Sequence, residues 1–195
     1  MEELRPGLWY WTAIHPTWYD NEVGSYAWDA GSTLVLIDPL SPPTLVDELA
    51  SGKEVATILT CDWHDRSAPE LVERLGSRIH APAGGDSGLD AELFEPGQDG
   101  LPAGIEAYGA THPGEVALWI GELNALVMGD ALITKEGTLI VPPTWLPEND
   151  TVLEAQRRMA PLLELPVELV LTTHGEPVRE NAAEALRKAL LQSSS

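Results

Sequence analysis

The sequence predicts an α/β fold: two mixed β-sheets face to face, helices on their outer faces, and a site along one edge. Three observations carry this expectation. Short apolar runs of strand length alternate with helical-period segments, in the order strands, helix, strand, helix, strands, helix, strand, helix. The most apolar runs are cut off by turn residues, as at Asp38-Pro39 and Gly129-Asp130. A length of 195 residues suits a single domain spanning 1–195 better than two.

The elements follow in order. Leu8 to Ile14 is aromatic and β-rich, Val23 to Trp28 alternates, and Thr33 to Ile37 is continuously apolar, so this third of the chain reads as strands. Ser41-Pro42-Pro43 reads as an N-cap with proline in the first turn, opening a helix through Leu45 and Leu49. Val55 to Thr60 is a short buried strand. Ser67 and Glu70 frame a capping box before a helix that Gly76 stops, which leaves Thr60 to Arg66 as a strand-to-helix loop. His80 opens a proline-rich turn, and Ala83 to Gly104, rich in Gly, Pro and Asp, reads as a long surface connection. Strands return at Gly104–Tyr108, Glu115–Ile120, Ala125–Met128 and Thr138–Val141, the middle two turning at Glu122-Leu123. Thr151 and Glu154 form a second capping box, starting a helix with Val152, Ala155, Met159 and Leu163 on one face. Val167 to Thr172 is a buried strand that delivers His174-Gly175 to a loop, and Ala182 to Leu191 is an amphipathic helix. The Ser193–Ser195 tail is expected to fray.

Composition narrows the class. Eleven basic residues against 31 acidic give a net charge of −20, which repels phosphate backbones and anionic lipid. No nucleic-acid or membrane partner is expected, and a small-molecule substrate is. No apolar run approaches the ~20 residues of a bilayer span, and the opening MEELRPGLWYW lacks the pattern of a secretory signal. A single cysteine, Cys61, excludes an internal disulfide and suits the reducing cytoplasm. The oligomeric state is not legible.

Chemistry concentrates after the strands. Four loops hold metal-ligating or proton-moving groups: Cys61 to Arg66, Thr111 to Gly114, Gly129-Asp130 and Thr173 to Gly175. Imidazole and carboxylate suit a borderline cation such as zinc, and a catalytic centre needs about three of them plus an open position. Each group also has a plainer reading: a solitary loop histidine is usually structural, and Asp130 after glycine can merely cap a turn. Cys61 offers a thiolate or is simply a small buried residue at a strand end. His15 follows an apolar strand beside Pro16 and either borders the pocket or, more simply, is a turn residue. Trp63 and Trp145 fall in loops, where they can line an apolar pocket, while Trp9, Trp11 and Trp119 suit the core. No phosphate-binding glycine loop, Walker pattern or Gly-x-Ser-x-Gly elbow occurs.

The order of these groups resembles the metallo-β-lactamase superfamily. Its first metal motif, Thr-His-x-His-x-Asp-His after a buried strand and before a helix, matches Thr60-Cys61-Asp62-Trp63-His64-Asp65-Arg66. Asp65 falls on the motif aspartate, while Cys61, Trp63 and Arg66 replace the three histidines and His64 sits one place beyond the second. His112 in THPGEVALWIG, Asp130 in ALVMGDALI and His174 in LVLTTHGEPV resemble the remaining ligands, and the strand ending in Asp38 matches an early aspartate-bearing strand. The resemblance spans roughly residues 5–190. It implies an αβ/βα sandwich and a hydrolase with one divalent transition metal, most simply zinc, held by Asp65, His112, Asp130 and His174. Asp65 serves as ligand or general base, with His64 a second group for proton transfer. Four aligned ligands are too few for two metals, which need about six or seven. Arg66 is expected between Asp65 and Asp130, neutralising both where relatives hold a second cation. The alternative is a catalytically inactive, metal-free domain that binds a small molecule or protein partner in the old cleft.

Overall fold

Parallel and antiparallel pairing are divided along the chain by what connects the strands. In the computed structural model, which describes residues 1–18, 21–85 and 88–191, β1 (Glu2–Arg5), β2 (Leu8–Ile14), β3 (Glu22–Asp29) and β4 (Thr33–Ile37) pair in chain order as an antiparallel meander. Crossovers follow. Helix α1 (Leu45–Ala50) leads to β5 (Glu54–Ile58), α2 (Ala68–Leu75) to β6 (Arg78–Pro82), and a loop to β7 (Glu92–Phe94). Strands β4 to β7 therefore pair in parallel, and the sheet runs β1-β2-β3-β4-β5-β6-β7. The second half supplies β8 (Glu106–Gly109), β9 (Val116–Ile120), β10 (Ala125–Met128), the hairpin β11 (Ile133–Lys135) and β12 (Thr138–Ile140), α3 (Val152–Met159), β13 (Leu169–Thr172) and α4 (Ala182–Leu191). Its main sheet has the order β13-β10-β9-β8, with β10 and β13 parallel.

The two sheets are buried on both faces, which explains why their central strands read as continuous apolar runs. Leu8, Tyr26, Trp28, Ile37 and Ile58 meet Leu118, Ile120, Val127 and Leu171 between the sheets. Outside the first sheet, Trp11, Leu34, Leu36 and Leu71 pack with Val46 of α1. Outside the second, Trp119, Leu126 and Met128 pack with Met159 of α3 and with Leu186 and Leu190 of α4. Each such side chain contributes about 1.5–3 kcal/mol on burial. The layers are helix, sheet, sheet, helix, as the element order predicts.

Some local expectations change. Strands β1, β6, β7 and β11 were not foreseen, and His80 lies within β6 instead of opening a turn. The Ala83–Gly104 connection contains β7 and a 3-10 turn over Pro102–Gly104. Helix α1 begins behind Thr44, not Ser41, and no side chain caps it. Ser67 precedes α2 without capping it, because its Oγ accepts the Ser41 N–H instead (3.0 Å). The Thr151–Glu154 box forms in full, and α3 ends at Met159, with a 3-10 segment over Ala160–Glu164 taking up Leu163. Trp9 is half-buried, packed against the outer cluster of the first sheet. The Ser193–Ser195 tail lies outside the described residues.

One edge of the sandwich is knitted across the sheets. Gly24 N donates to Thr173 O (2.8 Å), Tyr26 OH to Thr172 O (2.6 Å) and Val116 N to Thr60 O (2.8 Å). Strands β4, β5, β10 and β13 all end at this edge, bringing Asp38, the 60–66 loop, Asp130 and His174 together.

Candidate metal centre

The site starts from Asp38, the residue after β4, held at φ +44 and wholly buried. A buried carboxylate needs several donors, and Asp38 has them. Thr60 N donates to Oδ1 (2.8 Å), the Thr60 hydroxyl donates to Oδ2, and His64 Nδ1 lies 3.0 Å from Oδ2. Burial alone would raise its pKa, yet His64, Arg66 and Thr60 together hold it below the ordinary carboxylate range. Asp38 in turn fixes the His64 ring, as carboxylates do for ligating histidines.

The other nitrogen of His64 faces Asp130, on the turn that ends β10. His64 Nε2 lies 3.2 Å and His174 Nε2 3.1 Å from the same oxygen, Asp130 Oδ1. Trp63 Nε1 donates to the other, Oδ2 (3.0 Å). Burial would push the Asp130 pKa up, but the two imidazoles overcome it and hold the carboxyl far below the usual range. Burial opposes charge on His64 also; Cys61, Asp38 and Asp130 outweigh it and raise the His64 pKa well above that of free histidine. Despite these distances Asp130 Oδ1 makes no well-aligned hydrogen bond. Both ring nitrogens approach one carboxylate oxygen that has no aligned partner of its own, an acceptor that a cation would satisfy. Cys61 completes the cluster: its Sγ, a His64 nitrogen and an Asp130 oxygen all lie within 4.8 Å of one another. Burial pushes the Cys61 thiol up to about 12, so only a cation at the cluster would draw the thiolate out at neutral pH. The donor set of one imidazole, one carboxylate and one thiol fits zinc.

Glycine makes room for this packing. A Cβ on Gly129 would fall 2.6 Å from Thr60 Oγ1 and 2.7 Å from Cys61 Sγ. One on Gly175, at φ +82, would fall 1.9 Å from the Thr134 carbonyl oxygen. The β11–β12 hairpin therefore lies tight against the His174 turn, and Thr134 N donates to His174 O (2.9 Å).

Of the residues expected from the sequence, the structure brings Cys61, His64, Asp130 and His174 together, with Asp38 behind them. It does not bring Asp65 or His112 to the cluster. Asp65 is exposed, and its carboxylate accepts the N–H of Arg66 (2.8 Å), because the loop carries His64 inward in its place. His112 turns away, its Nε2 2.7 Å from Trp145 O. Arg66 does not stand between Asp65 and Asp130, nor, among the described residues, between any other carboxylate pair. Held at φ +39, it donates from Nη1 to Gly24 O (3.0 Å) and Asp38 O (2.7 Å), a peptide clamp in place of an ion pair. The residue whose two ring nitrogens face two aspartates is His64.

A pocket of about 290 Å³ opens over the cluster, lined by His15, Trp18, Trp63, Arg66 and His174 among others. Trp145 packs edge-on to His174 with ring centroids 4.9 Å apart, and Trp18 lies 5.5 Å from Trp145. Trp63 lies 5.6 Å from His112. Trp63 lines the pocket as expected, and so does His15 in one of its two readings; Trp145 instead packs behind, against Trp18 and His174, and Trp18 joins the lining with nothing in the local pattern to mark it. Glu115 was also unforeseen: buried, it accepts from Thr111 N (3.1 Å), Thr111 Oγ1 (2.6 Å) and His112 N (3.1 Å) and so shapes the His112 loop. Its position opposite Cys61 in a β-bridge is a tertiary fact with no sequence signal.

Comparison with known proteins agrees with this architecture. Residues 1–193 match a family model described as the metallo-beta-lactamase superfamily. Among solved structures, DIM-1 metallo-beta-lactamase is similar at a TM-score of 0.73 and 14% identity, over 97% of this chain and 95% of that one. The TMB-1 structure gives 0.72 and 17% over 97% and 95%. A metallo-beta-lactamase superfamily protein from the archaeon Sulfolobus tokodaii gives 0.68 and 16% over 94% and 84%. At these identities the likeness speaks for the fold. No curated protein sequence matches the chain.

Proposed function

Because the chain belongs to the metallo-beta-lactamase superfamily, we propose that it is a one-domain, metal-dependent hydrolase of a small-molecule substrate with a single divalent transition ion, zinc, per chain. The observation that carries this reading is the convergence of His64 Nε2 and His174 Nε2 on the poorly bonded Asp130 Oδ1, with Cys61 alongside. These four residues are the proposed ligands, replacing Asp65 and His112 of the expected set. Such an ion, when bound, supplies Lewis-acid polarisation of a carbonyl or ester and makes water a better nucleophile.

The chain's own groups do the rest. Asp38 keeps His64 in one tautomer and orientation, Trp63 fixes the second oxygen of Asp130, and the tryptophans shed water from the pocket. For proton transfer the placement favours His15 over Asp65. His15 lines the pocket, and its Nδ1 accepts the Trp18 N–H (3.2 Å). Burial, with Arg66 and the neighbouring histidines, lowers its pKa and keeps it in the neutral, proton-accepting form. The lone cysteine and the charge of −20 support a cytoplasmic place and a substrate other than nucleic acid. Among the described residues, no helix is long and apolar enough to cross a membrane.

A second reading has one observation behind it: His64 already compensates Asp38 and Asp130 without a cation, as a metal-free binding domain would require. Elemental analysis of protein purified without a metal-affinity step separates the two. The hydrolase reading expects about one equivalent of zinc, lost together with ester, thioester, lactam or phosphoester hydrolysis in His64→Ala and His174→Ala. Two tight equivalents, or full occupancy in both variants, overturn the ligand set; no metal and no hydrolysis favour the binding domain.

A further inference from the structure

The parallel strands have a second end. Thr33 precedes Asp38 by five residues, about 17 Å along an extended strand, and there the inner face of the large sheet changes character. Val35, Ile37 and Ile58 are core on this face. On β6, however, Ile79 and Ala81 pack with Ala68 of α2 on the outer side. Alternation therefore places both Arg78 and His80 on the inner face, His80 buried and Arg78 exposed at its rim, where an aliphatic pair would be expected. Strand β7 sets Glu92 directly beside His80. Around them lies a cavity of about 370 Å³, larger than the pocket over the metal cluster, bounded also by Ala56, Pro102 and Ala103.

Three features separate this cavity from a packing defect. His80 is buried, and its Nδ1 stands 3.6 Å from Glu92 Oε2, beyond hydrogen-bond distance. Arg78 has no carboxylate partner among the described residues, whereas Lys53 at the rim is committed to Asp29. Ala103 is held at φ +57 in the turn that bounds the cavity, a conformation costing a residue with a Cβ on the order of 1–3 kcal/mol. Burial and Arg78 lower the His80 pKa against the pull of Glu92, so the ring is a neutral acceptor or donor.

We propose that this cavity is a second binding site, for a small 2-hydroxy- or 2-amino-carboxylate. The unpaired Arg78 guanidinium takes the carboxylate, and it supplies the local cation an anion needs on a chain of charge −20. The neighbouring hydroxyl or ammonium meets His80, while Pro102 and Ala103 cover the aliphatic part. The site is remote from the metal cluster and stands whether or not that cluster holds a metal.

The test is titration of the full chain with L-lactate and with L-alanine, read from the NMR signals of the His80 ring. Propionate, which lacks the second donor, and lactamide, which lacks the carboxylate, are the controls. A saturable shift with lactate or alanine is expected, weaker by about tenfold or more with both controls. It should be lost in Arg78→Gln, whose exposed position leaves the fold intact. No saturable shift with either ligand, equal responses to the controls, or unchanged binding in Arg78→Gln would overturn the proposal.

Discussion

Single residues at this protein's two polar sites are set against the core rather than the surface, and titration is where that shows. His80 has its pKa lowered, chiefly by burial, with Arg78 of the same strand adding to the effect and Glu92 of β7 opposing it; Lys53 and Glu54 border the same cavity. The folded chain therefore holds fewer protons on His80 than the unfolded chain, whose histidine titrates near ~6.5. Stability falls as pH drops through that value, and the fall ends once pH is below the folded pKa. Urea midpoints measured between roughly pH 7.5 and 5 should decline less steeply in His80→Gln than in the parent. Parallel curves would show that His80 titrates as in the unfolded chain. Asp38 illustrates the opposite device: its partners make the charged form the buried one, so its contribution persists until the carboxyl protonates at acid pH.

Elements are held by a few local devices, and the two capping sequences show how context chooses between them. Thr151 and Glu154 exchange both bonds of a capping box at the exposed start of α3: Thr151 Oγ1 accepts Glu154 N (3.2 Å), and Thr151 N donates to Glu154 Oε2 (3.1 Å). Thr151→Ala should cost about 1 kcal/mol of global stability, seen as a lower urea midpoint at unchanged slope; no change would mean that the end of α3 is held by Arg158 and Asp150 instead. Ser67 has the same pattern in sequence but gives its oxygen to Ser41, tying the 41 loop to the start of α2. The neighbouring turn at Arg66, left-handed and clamped to two carbonyl groups, decides which side chains of the 60–66 loop face inward.

At the scale of the whole molecule, 31 acidic and 11 basic residues must share one surface. The described ion pairs, such as Arg74 with Asp47 and Arg179 with Glu2, commit several of the cations and leave the acids in excess. Self-repulsion then favours expansion, and salt screens it over a Debye length that shrinks to about 3 Å at 1 M. The melting temperature should rise when sodium chloride is raised from about 0.02 to 0.5 M, before any specific ion effect. A flat or falling melting curve would show that favourable ion pairs outweigh the excess charge.

What the sequence determined by itself was the layered fold and the strand ends that bear its chemistry. Apolar period and punctuation are local properties, so β2, β3, β4, β10, α3 and α4 were legible in place, and Asp38, Asp130 and His174 were legible as residues ending strands. The short edge strands β1 and β7 were not, because the polar β1 and the three-residue β7 are stabilised only by a neighbour's ladder. The tertiary structure alone decided which residues of the 60–66 loop meet Asp130. Counting places along the motif set Asp65 at the centre and Arg66 between carboxylates; the left-handed turn at Arg66 instead leaves Asp65 in solvent and swings His64 in, against a carboxylate 26 residues earlier. His112 was likewise placed by Trp145 and Glu115, both non-local. Secondary structure follows from neighbours in the chain, whereas a site assembled from four loops depends on backbone torsions and on packing across two sheets, and a single residue's rotation there exchanges one candidate ligand for the next.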